Sequence, residues 1–340
     1  DMSVIGVLTA GGDCPGLNAV IRGVVSRAHE AHDNEVVGIQ NGWEGLMDGD
    51  VRVLDRRDVR GILVRGGTII GTSRKDPYVH GDGSVSVKKT LKTNGIDTLV
   101  VIGGDGTLRT ALKLVEEGVS VIGVPKTIDN DIAATDFTFG FDTAVQIVTD
   151  AIDRLTTTAE AHNRVIIVEV MGRTKGWIAT YAGIAGGAEA ILIPEVPYDI
   201  EEVAEIIRRR HRRGKNYSIV VVAEGVAPPK KIALEKDIYG FDRLGGVGYQ
   251  FAPIIEELTG FETRVTVLGH LQRGGTPTAF DRVLATRLGA KAADLAAEGA
   301  SGVMVAMRGS RIVPVPLAEA CADIRGVDDE LFGVARTFFG

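Results

Sequence analysis

Thr98-Leu99-Val100-Val101-Ile102-Gly103-Gly104-Asp105-Gly106-Thr107, continued by the helix-like run Thr107–Glu117, is the stretch that decides the fold. An aliphatic run without alternation is what a strand buried on both faces looks like. The glycines turn the chain, and a helix carries it back. The same unit recurs along the sequence. Val4–Thr9 leads into a glycine-rich turn and the helical segment Gly16–Ala31. Ser120–Val124 ends at Pro125, Arg164–Val170 at Met171-Gly172, and Ser218–Ala223 at Glu224-Gly225. Thr263–Leu268 and Val303–Met307 look similar, and Phe141–Ala159 reads as a long helix able to carry the chain between domains. Strand, turn and helix in repetition predict an α/β fold of doubly wound, largely parallel sheets.

Composition agrees and narrows the function classes. A chain of 340 residues favours two domains, and 44% apolar with 24% charged residues excludes a disordered, collagen-like or coiled-coil protein. Forty-four glycines and only 5% aromatics predict an aliphatic core with many tight turns. Thirty-eight basic against 45 acidic side chains give a net charge of −7, which disfavours nucleic acid as a partner. Two cysteines, Cys14 and Cys321, cannot form a disulfide framework, so a reducing, cytoplasmic setting is expected. The early apolar run Val4–Leu8 is too short for a secretory leader. Trp177–Pro194 is long and nearly uncharged, but Ala and Gly dominate it and Glu189 interrupts it. It reads as a packed helix and a short strand, with no membrane span expected.

In such sheets ligands bind beyond the carboxyl ends of the strands, and the chemistry-bearing residues collect there. Thr9-Ala10-Gly11-Gly12-Asp13-Cys14-Pro15-Gly16 reads either as a bare tight turn or as a phosphate cradle at a helix start. No Walker A pattern occurs, and Gly66–Arg74 has glycines without the lysine. Gly103–Thr107 surrounds one carboxylate with glycines. Asp105 there is either a helix cap or the anchor for a phosphate-bound Mg²⁺. In Pro125-Lys126-Thr127-Ile128-Asp129-Asn130-Asp131, two carboxylates share a strand end. They form either a solvated turn or a proton acceptor for an attacking hydroxyl. Arg74, Arg164, Arg173, Arg264 and Arg273, with His270 and Glu224, stand mostly at strand-to-loop transitions, where guanidinium groups suit phosphate. The basic run Arg208–Lys215 closes the helical stretch Ile200–Arg213. Helix-dipole stabilisation accounts for it better than RNA or DNA binding, and a phosphorylated effector is a third reading.

Together these segments resemble the 6-phosphofructokinase family, in its bacterial form. The likeness rests on Gly11-Gly12-Asp13, Gly104-Asp105-Gly106-Thr107, Pro125–Asp131, Val168–Arg173 and Leu268–Gly275, in order along the chain. The resemblance implies two α/β domains with an active site between them. The nucleotide-binding domain would comprise residues 1–140 with about 272–322, and the fructose-6-phosphate-binding domain about 141–271 with 323–340. It implies transfer of the γ-phosphoryl group of ATP, as Mg²⁺ complex, to the 1-hydroxyl of fructose 6-phosphate. Asp129 would be the general base. Thr127, Lys126 and Arg173 would lie at the transferred group. Gly12, Arg74, Lys75, Gly104, Asp105, Gly106 and Thr107 would hold the nucleotide, with Asp105 on the metal. Thr127, Asp129, Asp131, Arg164, Met171, Gly172, Arg173, Glu224, Arg264, His270 and Arg273 would bind the sugar phosphate. Arg164 and Arg264 would complete a neighbouring subunit's site in a homotetramer or homodimer.

Two departures qualify the likeness. Nucleotide-using members carry Gly where this chain has Lys126, whereas pyrophosphate-using members carry Lys there and Asp at the position of Gly106. Gly106 leaves the α-phosphate space open, so ATP is the expected donor and the chain resembles the mixed-substrate subgroup. The family's effector pocket has basic residues where this chain has Ser26 and Thr156, while Arg22, Arg56, Arg213 and Lys215 keep the charge. Blunted or altered allostery is expected, and sedoheptulose 7-phosphate is a plausible second acceptor. Pyrophosphate dependence, and a catalytically silent metabolite-binding regulator of the same fold, are the alternatives. A lipid or NAD kinase shares the Gly104–Thr107 turn but leaves Pro125–Asp131 and His270–Gly275 unexplained.

Overall fold

A computed structural model describes residues 3–79, 81–229, 236 and 244–340. Two compact units emerge, one from residues 1–143 with 273–324, the other from 144–272 with 325–340. The chain begins in the first unit with β1 (Val4–Ala10), α1 (Leu17–His32), β2 (Glu35–Ile39), α2 (Trp43–Asp48) and β3 (Val51–Val53). There follow α3 (Gly83–Thr93), β4 (Thr98–Gly103), α4 (Asp105–Glu116), β5 (Val121–Thr127) and β6 (Phe139–Gly140). The long helix α5 (Phe141–His162) then leads into the second unit. That unit contains β7 (Val165–Val170), α6 (Trp177–Ala185), β8 (Ala190–Leu192), α7 (Ile200–Arg212), β9 (Ser218–Ala223), α8 (Val247–Thr259) and β10 (Thr263–Val267). A 3-10 turn (Gly269–Arg273) precedes the return through α9 (Ala279–Ala297), β11 (Val303–Arg308), β12 (Arg311–Pro316) and α10 (Leu317–Ala320). Helix α11 (Asp329–Thr337) rejoins the second unit and packs on α6.

The first unit is built on one sheet in the order β12-β11-β5-β4-β1-β2-β3, with β6 paired to the end of β5. Its centre is parallel, and antiparallel strands β3 and β12 close its two edges. Leu8, Leu99 and Val101 face Leu108, Ala111 and Leu114 of α4 in a fully buried aliphatic core. Each such side chain contributes about 1.5–3 kcal/mol of burial, which is why Thr98–Gly103 shows no polar alternation. Helices α1 and α9 pack closely through two glycines. A Cβ on Gly23 would stand 2.7 Å from the Thr286 carbonyl, and one on Gly289 2.4 Å from that of Val20.

The second unit has a four-stranded, wholly parallel sheet in the order β10-β7-β9-β8. Val165–Val170 and Ser218–Ala223 are buried throughout. The cations that end α7 are engaged inside this unit. Arg210 pairs with buried Glu189 at 2.7 Å, Arg208 with Glu205 at 3.0 Å, and Arg209 bonds the Phe339 carbonyl. Trp177–Pro194 divides into α6 and β8, and among the described residues no helix is long and apolar enough to cross a membrane.

The doubly wound, largely parallel α/β reading holds, with two corrections of detail. β5 does not stop at Pro125 but runs on through Thr127, because β6 pairs with Lys126 and Thr127 beyond the reach of β11. Short strands β2, β3, β6 and β12 escape the sequence reading, since two to six residues carry little periodic signal.

Candidate active site

Adjacent parallel strands in register bring the first unit's motifs to one rim. Ala10 of β1 lies opposite Gly103 of β4, and Gly103 opposite Pro125 of β5. Their carboxyl ends therefore deliver Gly11–Asp13, Gly104–Thr107 and Lys126–Asp131 together. α4 starts at Asp105, with Gly104 as its N-cap residue. Its unsatisfied N–H groups and positive dipole end make that rim a place for anions. Thr107 folds back over Gly103, where a Cβ would lie only 2.2 Å from its methyl group. A Cβ on Gly106, in contrast, would meet nothing within 4 Å.

Lys126 is buried, 4% exposed, and its ammonium donates to the Gly12 carbonyl. Burial pushes that ammonium below the usual lysine range, and Arg273 adds to the effect, whereas Asp129 and Asp13 oppose it. Arg273 belongs to the first unit and donates to the Asp13 carbonyl at 3.2 Å. The segment before Arg74 lies against the first turn, with Gly11 N–H donating to the Ser73 carbonyl at 2.9 Å and Thr72 Oγ1 to that of Gly11 at 2.7 Å. Lys75 pairs with Glu44. Asp105 receives Arg109 Nε on both carboxylate oxygens, at 2.9 and 3.0 Å.

A metal at this rim would have few protein ligands. Among the described residues no group of three or more His, Cys, Asp or Glu side chains could hold an ion. Asp105, beside open glycine backbone, offers one carboxylate. That fits Mg²⁺, which commonly takes one or two carboxylates and fills its shell with phosphate and water oxygens.

The turn after β5 is the most tightly built part of the rim. Pro125–Asp131 are all buried. Asp129 N–H donates to Thr127 Oγ1 at 3.0 Å. From the next segment, Thr138 Oγ1 donates to the Thr127 carbonyl at 2.7 Å, and Thr138 N–H to Asn130 Oδ1 at 2.9 Å. Asn130 takes a left-handed φ of 52°, which aims the turn. Asp129 Oδ1 is buried with no hydrogen-bond partner among the described residues. A buried acceptor left unmatched costs about 1–3 kcal/mol, so this atom is open to a hydrogen-bond donor. Asp131 is buried beside it.

In the second unit, the pairing Val170↔Ala223 places Met171-Gly172-Arg173 next to Glu224. Arg173 N–H donates to Glu224 Oε1 at 2.9 Å, and Met171 N–H to Gln272 Oε1 at 3.2 Å. Gly172 has φ 140°, and a Cβ there would come 2.5 Å from the Lys175 carbonyl. Arg173 itself sits at φ 53°, an unusual conformation for a side-chain-bearing residue. His270 is exposed on the 3-10 turn. Neighbouring strands β7 and β10 bring Arg164 and Arg264 onto one carboxylate. Arg164 Nε meets Glu262 Oε2 at 2.7 Å and Arg264 takes Oε1. The hydrogen bond from Arg164, then the second guanidinium, holds Glu262 below the usual carboxylate range.

The structure therefore gathers Gly12, Gly104–Thr107, Lys126, Thr127, Asp129, Asp131 and Arg273 in the first unit. Met171, Gly172, Arg173 and Glu224 are gathered in the second, as are Arg164 and Arg264. Three organising residues escape the sequence reading. Arg109 carries a visible signal, four residues after Asp105 on one helix face. Glu262 and Thr138 carry none, because their partners are set by strand pairing.

The phosphofructokinase family model matches residues 4–296. The chain is 55% identical to the pyrophosphate–fructose 6-phosphate 1-phosphotransferase of Amycolatopsis methanolica, over 99% of each chain. It is 52% identical to the ATP-dependent 6-phosphofructokinase of Corynebacterium efficiens, again over 99% of each. The crystal structure of Pichia pastoris phosphofructokinase superposes with a TM-score of 0.85 at 35% identity, covering 99% of this chain and 39% of that one. Sequence and fold agree, and this chain belongs to the phosphofructokinase family.

Proposed function

We propose that the chain is an ATP-dependent 6-phosphofructokinase, acting in the cytoplasm as a homo-oligomer. Asp129 Oδ1, buried and without a hydrogen-bond partner among the described residues, is the observation that carries this reading. As the 1-hydroxyl oxygen of fructose 6-phosphate bonds to the γ-phosphorus, Asp129 accepts the hydroxyl proton. The bond from that phosphorus to the β,γ-bridging oxygen breaks, giving ADP and fructose 1,6-bisphosphate. Phosphoryl transfer needs little covalent help, so positioning and charge neutralisation are the protein's main tasks. Thr127, Lys126 and Arg173 would neutralise charge on the transferred group. Gly12, Arg74, Lys75 and Gly104–Thr107 cradle the nucleotide. Mg²⁺, when bound at Asp105, neutralises phosphate charge. Asp131, Met171, Gly172, Glu224, His270 and Arg273 hold the sugar phosphate, with Arg164 and Arg264 reaching it from a neighbouring copy.

The open space at Gly106 supports ATP. A second reading, pyrophosphate as donor, draws on Lys126, whose ammonium lies on the Gly12 carbonyl beside the glycine turn. The similarities do not separate the two, because relatives with each name exceed 50% identity over nearly the full chain. Steady-state turnover with ATP or pyrophosphate as sole donor, each against fructose 6-phosphate and sedoheptulose 7-phosphate, decides it. Turnover with ATP is expected. Turnover only with pyrophosphate reverses the donor, and none with either leaves a silent metabolite-binding regulator.

A further inference from the structure

Asp281 occupies the third position of α9, where an acidic residue ordinarily turns back to cap its own helix. Here it does not. Thr278, the N-cap residue, sends its N–H to Thr143 Oγ1 at 3.0 Å instead. The Asp281 carboxylate, wholly buried, faces a segment about 140 residues earlier in the chain. Oδ1 accepts the Gly140 N–H at 3.0 Å, and Oδ2 accepts Thr143 N–H at 2.8 Å and Thr143 Oγ1 at 2.6 Å. Burying a carboxylate is costly, and desolvation pushes Asp281 up to about 6 despite these bonds. Capping its own helix needs no such arrangement: the carboxylate instead takes the first-turn Thr143 N–H of α5 together with the Gly140 N–H of β6.

Gly140 belongs to β6, which pairs Phe139 with Lys126 and Gly140 with Thr127. One residue earlier, Thr138 bonds both the Thr127 carbonyl and the Asn130 side chain. The segment has little slack, since a Cβ on Gly140 would stand 2.5 Å from Cys14 Sγ. We infer that Asp281 is a positioning residue, which holds β6 and, through it, the Thr127–Asn130 turn that aims Asp129. This inference rests on the proposed role of Asp129.

The full-length protein tests it with two readouts. Asp281→Asn keeps the shape, but its amide NH2 must face a backbone N–H on one side. Deuterium exchange should accelerate at 138–143 and also at 127–131, while β7 stays protected. Because small misplacements of reacting groups cost on the order of 10²-fold, kcat should fall by about 10- to 100-fold with KM for donor and sugar within about threefold. Should Asp281→Asn fail to fold, Thr143→Val carries the test, with the same exchange pattern and a fall of about tenfold. Thr143→Ser retains the hydroxyl and should keep kcat within about twofold of the parent. An unchanged kcat in Asp281→Asn, or faster exchange confined to 138–143, overturns the inference. Asp129→Ser is assayed alongside. If it keeps the parental kcat, the base assignment fails, and exchange at 127–131 alone then upholds or overturns the coupling.

Discussion

The turn after β5 and the arginine pair at the start of β7 and on β10 are both assigned to the same proposed reaction, yet they are built differently. Pro125–Asp131 is buried, holds a left-handed asparagine and is tied by several side-chain hydrogen bonds. Arg164 is part-buried and Arg264 exposed, and among the described residues both are tied to one partly exposed carboxylate, Glu262. Exposed ion pairs contribute little, about 0–1 kcal/mol, so those guanidinium groups are easily redirected to a phosphate. In the proposed reaction, the groups assigned to the reacting atoms are fixed before a ligand arrives, and those assigned to the distal phosphate are only loosely held.

That contrast can be broken most sharply at Asp129. Asp129→Ser should lower kcat by roughly 10²–10⁴-fold, the usual worth of a positioned base, with less effect on sugar KM. Parental rates in steady-state assays would remove the distinction. A second test asks whether the buried side carries a titration cost. Asp281 has a folded value of about 6 against a reference of 3.8, so the native state binds more protons between those values. Stability attributable to this group therefore falls as pH rises from about 4 to 6, by roughly 3 kcal/mol, and the loss is complete above that window. Urea midpoints measured from pH 4 to 7 should show this slope in the parent and not in Asp281→Asn. The smallest effect is expected at the surface. Arg164→Ala should raise KM for fructose 6-phosphate by about tenfold and leave kcat within about threefold, as loss of ground-state binding does. An equal fall in kcat would place Arg164 among the preorganised groups.

Much of the site is legible because its residues are contiguous. A glycine turn around Asp105, or Lys126–Asp131 after a strand, can be read locally from hydrophobic runs and breakers. The effector-region expectation is partly local too. Thr156 bonds its own helix at Ile152, and Arg56 pairs with Glu30. Asp281 looks in sequence like an ordinary first-turn acid, and nothing near it in the chain mentions Gly140 or Thr143.

The order of strands, turns and helices, the aliphatic core and the chemistry after each strand follow from the linear sequence, since each depends on spacing within a dozen residues. Only the tertiary structure decided that the Asp281 carboxylate turns away from its own helix, that Glu262 gathers two arginines, and that one oxygen of Asp129 has no partner among the described residues. Those outcomes depend on strand register and helix packing between segments far apart in the chain, and burial then makes each unmatched or diverted polar atom count.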